Sequence, residues 1–361
     1  MESLNQLVQN ALFSRKENRL LRSLALPDSM IDFSSNDYLG LAKQGSKAED
    51  YGSGGSRLLS CNSEIAAKSE TAIAAFHNSP DALIFGSGYA ANLGFISAFA
   101  MRDLTIIYDE LCHASIRDGL RLGMAKSWKF KHNDCSDLEK KLKQAETPVL
   151  VITESVFSMD GDSPDFKALL SLKEKHKFSV LIDEAHASGW FEKGKTLTES
   201  LGIDEFFDAR LVTFGKALGA HGAAVLSSSE WKLFLLNFAR PFIYSTGPGS
   251  SFYHRINTQY HRIQHAEEER KSLLNNISHC LSRKQKSSLK MLNSESPIQG
   301  FIGNEKQVRA WEKMLHENGI SAKKILSPTV PVGQERIRIC LHSYNTKNEI
   351  ELLFKLMEND Q

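Results

Sequence analysis

SVLIDEAH (179–186) and, a short helical stretch later, ARLVTFGK (209–216) are the segments on which the fold turns. Each is an apolar run without polar alternation that ends on a charged residue. Runs of that kind read as strands buried on both faces. Four more share the character: ALIFGS (82–87), TIIYDE (105–110), PVLVITESVF (148–157) and HGAAVLSS (221–228). Helical patterns such as CSDLEKKLKQAE (135–146) and SPDFKALLSLKEKH (163–176) separate them. In the second, Ser163 and Pro164 supply an N-cap and a proline for the first turn. Strand alternating with helix predicts an α/β fold whose large domain is a mainly parallel sheet covered by helices.

Outward from this centre the pattern changes. Residues from about Leu4 to Leu24 carry the apolar spacing of an amphipathic helix. FSSNDYLGL (33–41) and YGSGGSRLLS (51–60) have loop chemistry. Beyond residue 250 a long polar helix, about Ser251 to Arg283, leads to helices near Glu305–Asn318 and Lys347–Glu358, with the strand RIRICLH (336–342) between them. The expected division is an N-terminal helix and arm (1–35), a large domain (36–250) and a smaller C-terminal α/β domain (251–361).

Bulk composition excludes several functions. The 361 residues carry 44 Lys+Arg against 43 Asp+Glu, a formal charge of +1. Such a balance exerts no long-range pull on nucleic acid or anionic lipid. The five cysteines form no C-x-x-C pair, which argues against a zinc site or a disulfide framework. No apolar run approaches membrane-spanning length, and the start lacks a signal-peptide core. The expected location is the cytoplasm.

In sheets of this kind ligands sit at the carboxyl ends of the strands. Three patterns fall there. Gly189 to Thr196 matches G-x-x-x-x-G-K-[ST] just after Asp183-Glu184-Ala185-His186, which invites an ATPase reading. That reading needs the phosphate loop and the magnesium acid on different strands, and one strand here would have to serve both. Gly86-Ser87-Gly88 with Ala91 resembles a dinucleotide turn, with Asp109 about 20 residues on. It leaves the later strand ends unexplained, although its open turn suits a phosphate. The third pattern explains more. Asp183 ends one strand and Lys216 the next in sequence. Pyridoxal phosphate requires a lysine to carry it as a Schiff base and an acid beside its ring nitrogen. The Gly86–Gly88 turn, Ser158 and Thr213 are candidates for the phosphate, and His113 for stacking on the ring. Taken singly, the bland readings compete: a solvated lysine, an N-cap aspartate, a packed histidine. Together they point to one site.

At these residues the sequence resembles the α-oxoamine synthases, of the aspartate-aminotransferase-like fold type I of pyridoxal-phosphate enzymes. FSSNDYLGL, GSGGSRLLS, FGSGYAAN, DELCHASIRDG, TESVFSMDGD, IDEAHASG, TFGKALGAHGA, FIYST and RIRICL carry the resemblance in order across nearly the whole chain. The resemblance implies that Lys216 carries the cofactor and moves the substrate's α-proton, and that Asp183 faces the ring nitrogen. It implies that His186 bonds the phenolic oxygen, that His113 stacks on the ring, and that Gly88, Tyr89, Ser158 and Thr213 surround the phosphate. Asn36 and Glu154 would line the substrate pocket, Arg338 would pair with the amino-acid carboxylate, and Arg22 and Thr329 would lie near the acyl chain and its carrier. Within the family, VTFGK, GAAVLSSS, FIYST and SPTVPVG favour joining L-alanine to a pimeloyl thioester of coenzyme A or a carrier protein, with loss of CO2. The alternative joins glycine to acetyl-CoA. A homodimer is the implied assembly, with no nucleic-acid, membrane or metal partner. Two departures stand out: Cys61 where many members have Gly, and Ala66-Ala67-Lys68-Ser69-Glu70 in place of His-x-x-Leu-Glu.

Overall fold

The computed structural model describes residues 3–18, 21, 53–59, 61–146 and 148–359. The chain forms two compact units, dividing at Ser155/Val156, Ser163/Pro164 and His265/Ala266.

The strands of the first unit are β1 (Asp81–Phe85), β2 (Thr105–Asp109), β3 (Lys126–Phe130), β4 (Val149–Glu154), β5 (Ser179–Asp183), β6 (Ala209–Thr213) and β7 (Ala223–Ser227). They form one sheet in the order β1-β7-β6-β5-β4-β2-β3. β3, β2, β4, β5 and β6 are parallel neighbours. β7 runs antiparallel to both β6 and β1, so β1 points the same way as the parallel set. The carboxyl ends of β1, β4, β5 and β6 therefore share one edge. The register sets Glu154 opposite Asp183 and Asp183 opposite Leu211.

Among the described residues ten α-helices accompany the sheet: α1 (Leu4–Glu17), α2 (Glu64–Phe76), α3 (Gly88–Phe99), α4 (Ala114–Leu122), α5 (Cys135–Gln144), α6 (Phe166–His176), α7 (Leu197–Ser200), α8 (Ser229–Phe238), α9 (Arg240–Ile243) and α10 (Ser250–Gln264). On one face Ile73 of α2 and Tyr253, Ile256 and Tyr260 of α10 pack on Ile84, Val212 and Ala224. In a second cluster Leu138, Leu142 and Leu169 pack on Ile107, Val151 and Ile182. Each such side chain, fully buried, contributes about 1.5–3 kcal/mol. With both faces covered, the central strands show no alternation.

The second unit contains α11 (Glu267–Lys286), β8 (Ile298–Ile302), α12 (Glu305–Glu317), β9 (Lys323–Ile325), β10 (Arg336–Cys340) and α13 (Lys347–Asn359). Its antiparallel sheet runs β8-β10-β9, and Phe301, Trp311, Ile337 and Phe354 are buried in it.

Several local expectations are corrected. α1 ends at Glu17, where the Asn18 side-chain amide donates to the Ser14 carbonyl at 2.7 Å; the remainder of the stretch expected to reach Leu24 lies, Leu21 apart, outside the described residues. α6 is capped by Asp165, whose carboxylate accepts from Ala168 N–H at 3.0 Å, rather than by Ser163. The expected polar helix from Ser251 to Arg283 is two helices. α10 belongs to the first unit, and α11 restarts at Glu267 with three glutamates in its first turn, where the helix dipole favours them. Among the described residues, no helix is long and apolar enough to cross a membrane.

Candidate active site

The shared edge of the sheet holds a cavity of about 300 Å³ lined by Gly88, Tyr89, Asn92, His113, Glu154, Asp183, His186, Thr213 and Lys216, with Ser87, His221 and Gly222 among its further walls. They arrive from several strand ends: Glu154 closes β4, Asp183 closes β5, Thr213 closes β6 with Lys216 three residues on, and Gly88 opens α3 after β1.

Asp183 is only 4% exposed. Its Oδ2 accepts from Asn92 Nδ2 at 2.7 Å and its Oδ1 from the Ala185 backbone N–H at 2.9 Å. Glu154, 3% exposed, accepts the His113 backbone N–H at 2.6 Å. Burial, reinforced by the charge of Asp183, raises the Glu154 carboxyl well above the usual carboxylate range. His113 caps α4, with Nδ1 2.8 Å from Ser115 Oγ. Partial burial lowers its imidazole below the ordinary range; Asp183 opposes that shift and Lys216 reinforces it. The Tyr89 ring meets the His113 ring edge-on at 6.2 Å, and its hydroxyl donates to Asp118.

The end of α3 is built for close approach. A Cβ at Gly88 would stand 2.7 Å from Thr213 Cγ2. Ser87 caps the helix through Ala90 N–H, and the other first-turn N–H groups with the positive dipole end form an anion cradle. The Thr213 hydroxyl beside it donates to Ala185 C=O at 3.3 Å.

Of the residues expected from the sequence, Gly88, Tyr89, His113, Glu154, Asp183, His186, Thr213 and Lys216 gather on this cavity. Ser158, Thr329 and Arg338 belong to the second unit. There Arg338 Nε donates to Ser158 C=O at 2.8 Å, Arg336 is committed to Asp160 at 2.6 Å, and Thr329 is exposed. Arg22 and Asn36 lie outside the described residues. Sequence reasoning missed Asn92 and His221, and took in Ser87 only as part of the Gly86–Gly88 turn. Helical spacing carried a signal for the first, since position 92 sits one turn after Gly88 on the same face of α3.

The two competing patterns dissolve in the structure. Lys195 of the phosphate-loop match donates to Phe76 C=O and lies 3.6 Å from Glu199. Thr196 caps α7 in a capping box with Glu199, and Glu184 accepts from Thr198. A dinucleotide unit needs β1 and β2 as parallel neighbours. Here β7, β6, β5 and β4 stand between them, and Asp109 accepts from Leu111 and Asn133 N–H groups, both at 2.8 Å.

The residues present fit pyridoxal phosphate: a buried acid lining the cavity, a lysine just past the end of the next strand, and a glycine cradle that a single methyl would fill. No group of described residues is arranged to hold a metal ion.

Comparison with known proteins agrees with this chemistry. The family model described as aminotransferase class I and II matches residues 28–355. An 8-amino-7-oxononanoate synthase of Emericella nidulans is 34% identical over 395 residues, spanning 98% of this chain and 94% of that protein. Among solved structures, an SPT with its PLP internal aldimine superposes with a TM-score of 0.81 at 28% identity, over 90% of this chain and 82% of that one. The 8-amino-7-oxononanoate synthase of Francisella tularensis gives a TM-score of 0.75 at 27% identity, over 92% and 98%.

Proposed function

Because the chain belongs to the aminotransferase class I and II family, and within it to the 8-amino-7-oxononanoate synthases, we propose that it joins L-alanine to a pimeloyl thioester, releasing CO2 and the free thiol carrier to give 8-amino-7-oxononanoate in biotin synthesis. It is a pyridoxal-phosphate-dependent acyltransferase of the α-oxoamine synthase type. The observation that carries the reading is the convergence of Asp183 and Lys216, from successive parallel strands, on one cavity with the Gly88 cradle.

When bound, the cofactor supplies an electron sink for the carbanion at the amino-acid α-carbon. The chain's own residues do the rest. Lys216 Nζ would anchor the group and, when free, would take the substrate's α-proton. The Asp183 carboxylate would hold a proton at the ring nitrogen, and His186 would donate to the phenolic oxygen. His113 would lie against the ring as a neutral imidazole, since partial burial disfavours its cation. Tyr89 and Gly88 N–H groups and the Thr213 and Ser158 hydroxyls would receive the phosphate. The Arg338 fork suits the alanine carboxylate, and Asn36 and Glu154 border the reacting atoms. Arg22 and Thr329 serve the acyl chain and its carrier, either coenzyme A or a carrier protein. The active assembly is a homodimer.

Incubating the protein, loaded with pyridoxal phosphate, with alanine and pimeloyl-CoA, and following thiol release, tests the assignment. Release with glycine and acetyl-CoA alone would overturn it.

A further inference from the structure

We propose that Asn92 is a positioning residue: it holds the Asp183 carboxylate in the orientation in which that acid meets the cofactor's ring nitrogen. The inference rests on the role given to Asp183 above. Asn92 lies on α3, one turn beyond Gly88, and is 2% exposed. It lines the same cavity as Asp183 and Lys216. Its Nδ2 donates to Asp183 Oδ2 at 2.7 Å, while the Ala185 N–H donates to Oδ1 at 2.9 Å. Each carboxylate oxygen therefore has one donor, and the two donors come from separate elements.

Without such partners the terminal torsion of an aspartate is broad and only loosely defined. With both, the plane of the carboxylate is fixed before the cofactor arrives. The neighbouring acid makes this matter. Glu154 faces Asp183 across the β4–β5 register, so the floor of the cavity holds two carboxyls side by side. A rigid amide donor reserves one of them for one direction. The amide orientation is itself set by this bond. Asn92 Oδ1 is buried without a hydrogen-bond partner, and turning the amide over would press that oxygen against a carboxylate oxygen.

Asn92 is thus tied at one end to the helix that carries the Gly88 cradle and at the other to the Asp183 carboxylate. Phosphate site and acid are set at a fixed distance through a single side chain. Thr213 repeats the link from the sheet side, touching the Gly88 position with its methyl group and Ala185 C=O with its hydroxyl.

The test uses the full chain titrated with pyridoxal phosphate, comparing wild type, Asn92→Leu and Asn92→Asp. Both substitutions keep the number of side-chain heavy atoms; the first removes the donor and the second sets an acceptor against Asp183. The cofactor dissociation constant should rise about tenfold in Asn92→Leu, the loss of one hydrogen bond to a charged group, and further in Asn92→Asp. The pH dependence of the bound cofactor's absorption should shift in both, and kcat should fall with little change in the KM for alanine. A role confined to packing α3 would lower the melting temperature and leave the dissociation constant and spectrum at wild-type values; that result overturns the inference. Asn92→Ser provides the same comparison if either variant does not fold. A wild-type protein that gains no cofactor absorption overturns the functional reading instead, which separates the two failures.

Discussion

Lys216 is the residue whose loss should be visible before any substrate is added. The wild-type protein loaded with pyridoxal phosphate is expected to show a visible absorption band from the covalent lysine adduct, and Lys216→Ala to lack it. Thiol release should fall at least ~10³-fold, the scale of a lost general base that is also an anchor. An unchanged band in the variant would contradict the assignment. Gly88 makes a second, steric case. A methyl there would stand 2.7 Å from Thr213 Cγ2, so Gly88→Ala must displace either the α3 terminus or Thr213. Overpacking of this kind costs about 1–3 kcal/mol of stability. Because the displaced atoms form the cradle proposed for the phosphate, the dissociation constant for pyridoxal phosphate, measured by titration, should rise by at least ~10-fold. At this scale the sequence disclosed residues whose chemistry is conspicuous at a strand end: Lys216, Asp183, His186. Asn92 was silent because an amide inside a helix has no chemistry of its own, and its meaning comes from the acid that folding brings to it.

The elements around the site are held by buried charge as well as apolar packing. Among the described residues β1 is an edge strand, paired only with β7. The outward N–H of Ile84 would be left without a ladder partner, and the Glu70 carboxylate of α2 accepts it at 3.0 Å. The same carboxylate pairs with Arg57 at 2.5 Å, both side chains being 2% exposed. Glu70→Ala therefore strips a buried guanidinium of its counter-charge and an edge strand of its cover, with an expected loss of about 3–5 kcal/mol by urea unfolding. An apolar double replacement, Arg57→Met with Glu70→Leu, should lose less, and a sum of independent losses would contradict the pairing. This contact also accounts for one departure noted in the sequence: where His-x-x-Leu-Glu becomes Ala66-Ala67-Lys68-Ser69-Glu70, the glutamate that carries the structural task is kept. Strands buried on both faces were legible because nothing polar interrupts them. β3 was not, since its sequence, KSWKF, is that of an exposed edge with lysines, and neither were β8 and β9, which lie in stretches rich in polar residues. The phosphate-loop match misled for a related reason. Gly189 and Gly194 serve positive φ and close packing on Leu218 and Ile263, which no pattern of letters distinguishes from a nucleotide loop.

For the whole molecule, the dependence of stability on pH should carry the signature of a buried charge cluster built on Glu184, the residue after Asp183. Arg210, 4% exposed, lies 3.7 Å from Glu184 and 3.6 Å from Glu199. The two acids shift in opposite directions. Burial pushes Glu184 up to about 7 despite Arg210 and the Thr198 donors. Glu199 is also buried, but the hydrogen bond with His77, the charge of Arg210 and the Thr196 N–H bring it down to about 2. Burial holds His77 itself below its ordinary range. The signs follow from proton linkage. Glu199, depressed in the folded state, contributes stability that is present above its unfolded value near 4.5 and is lost as pH falls toward 2. Glu184, raised in the folded state, contributes stability that is present below 4.5 and is lost as pH rises through 7. Its share amounts to about 3 kcal/mol between pH 5 and 8. Glu184→Gln keeps an acceptor for Thr198 and cannot ionise, so that loss should vanish. Urea unfolding of wild type and Glu184→Gln across this range should therefore show the wild type losing ground to the variant as pH rises, with the two curves running parallel below pH 4.5. A constant difference from pH 5 to 8 would mean that Glu184 is already ionised in the folded protein and that Arg210 outweighs its burial.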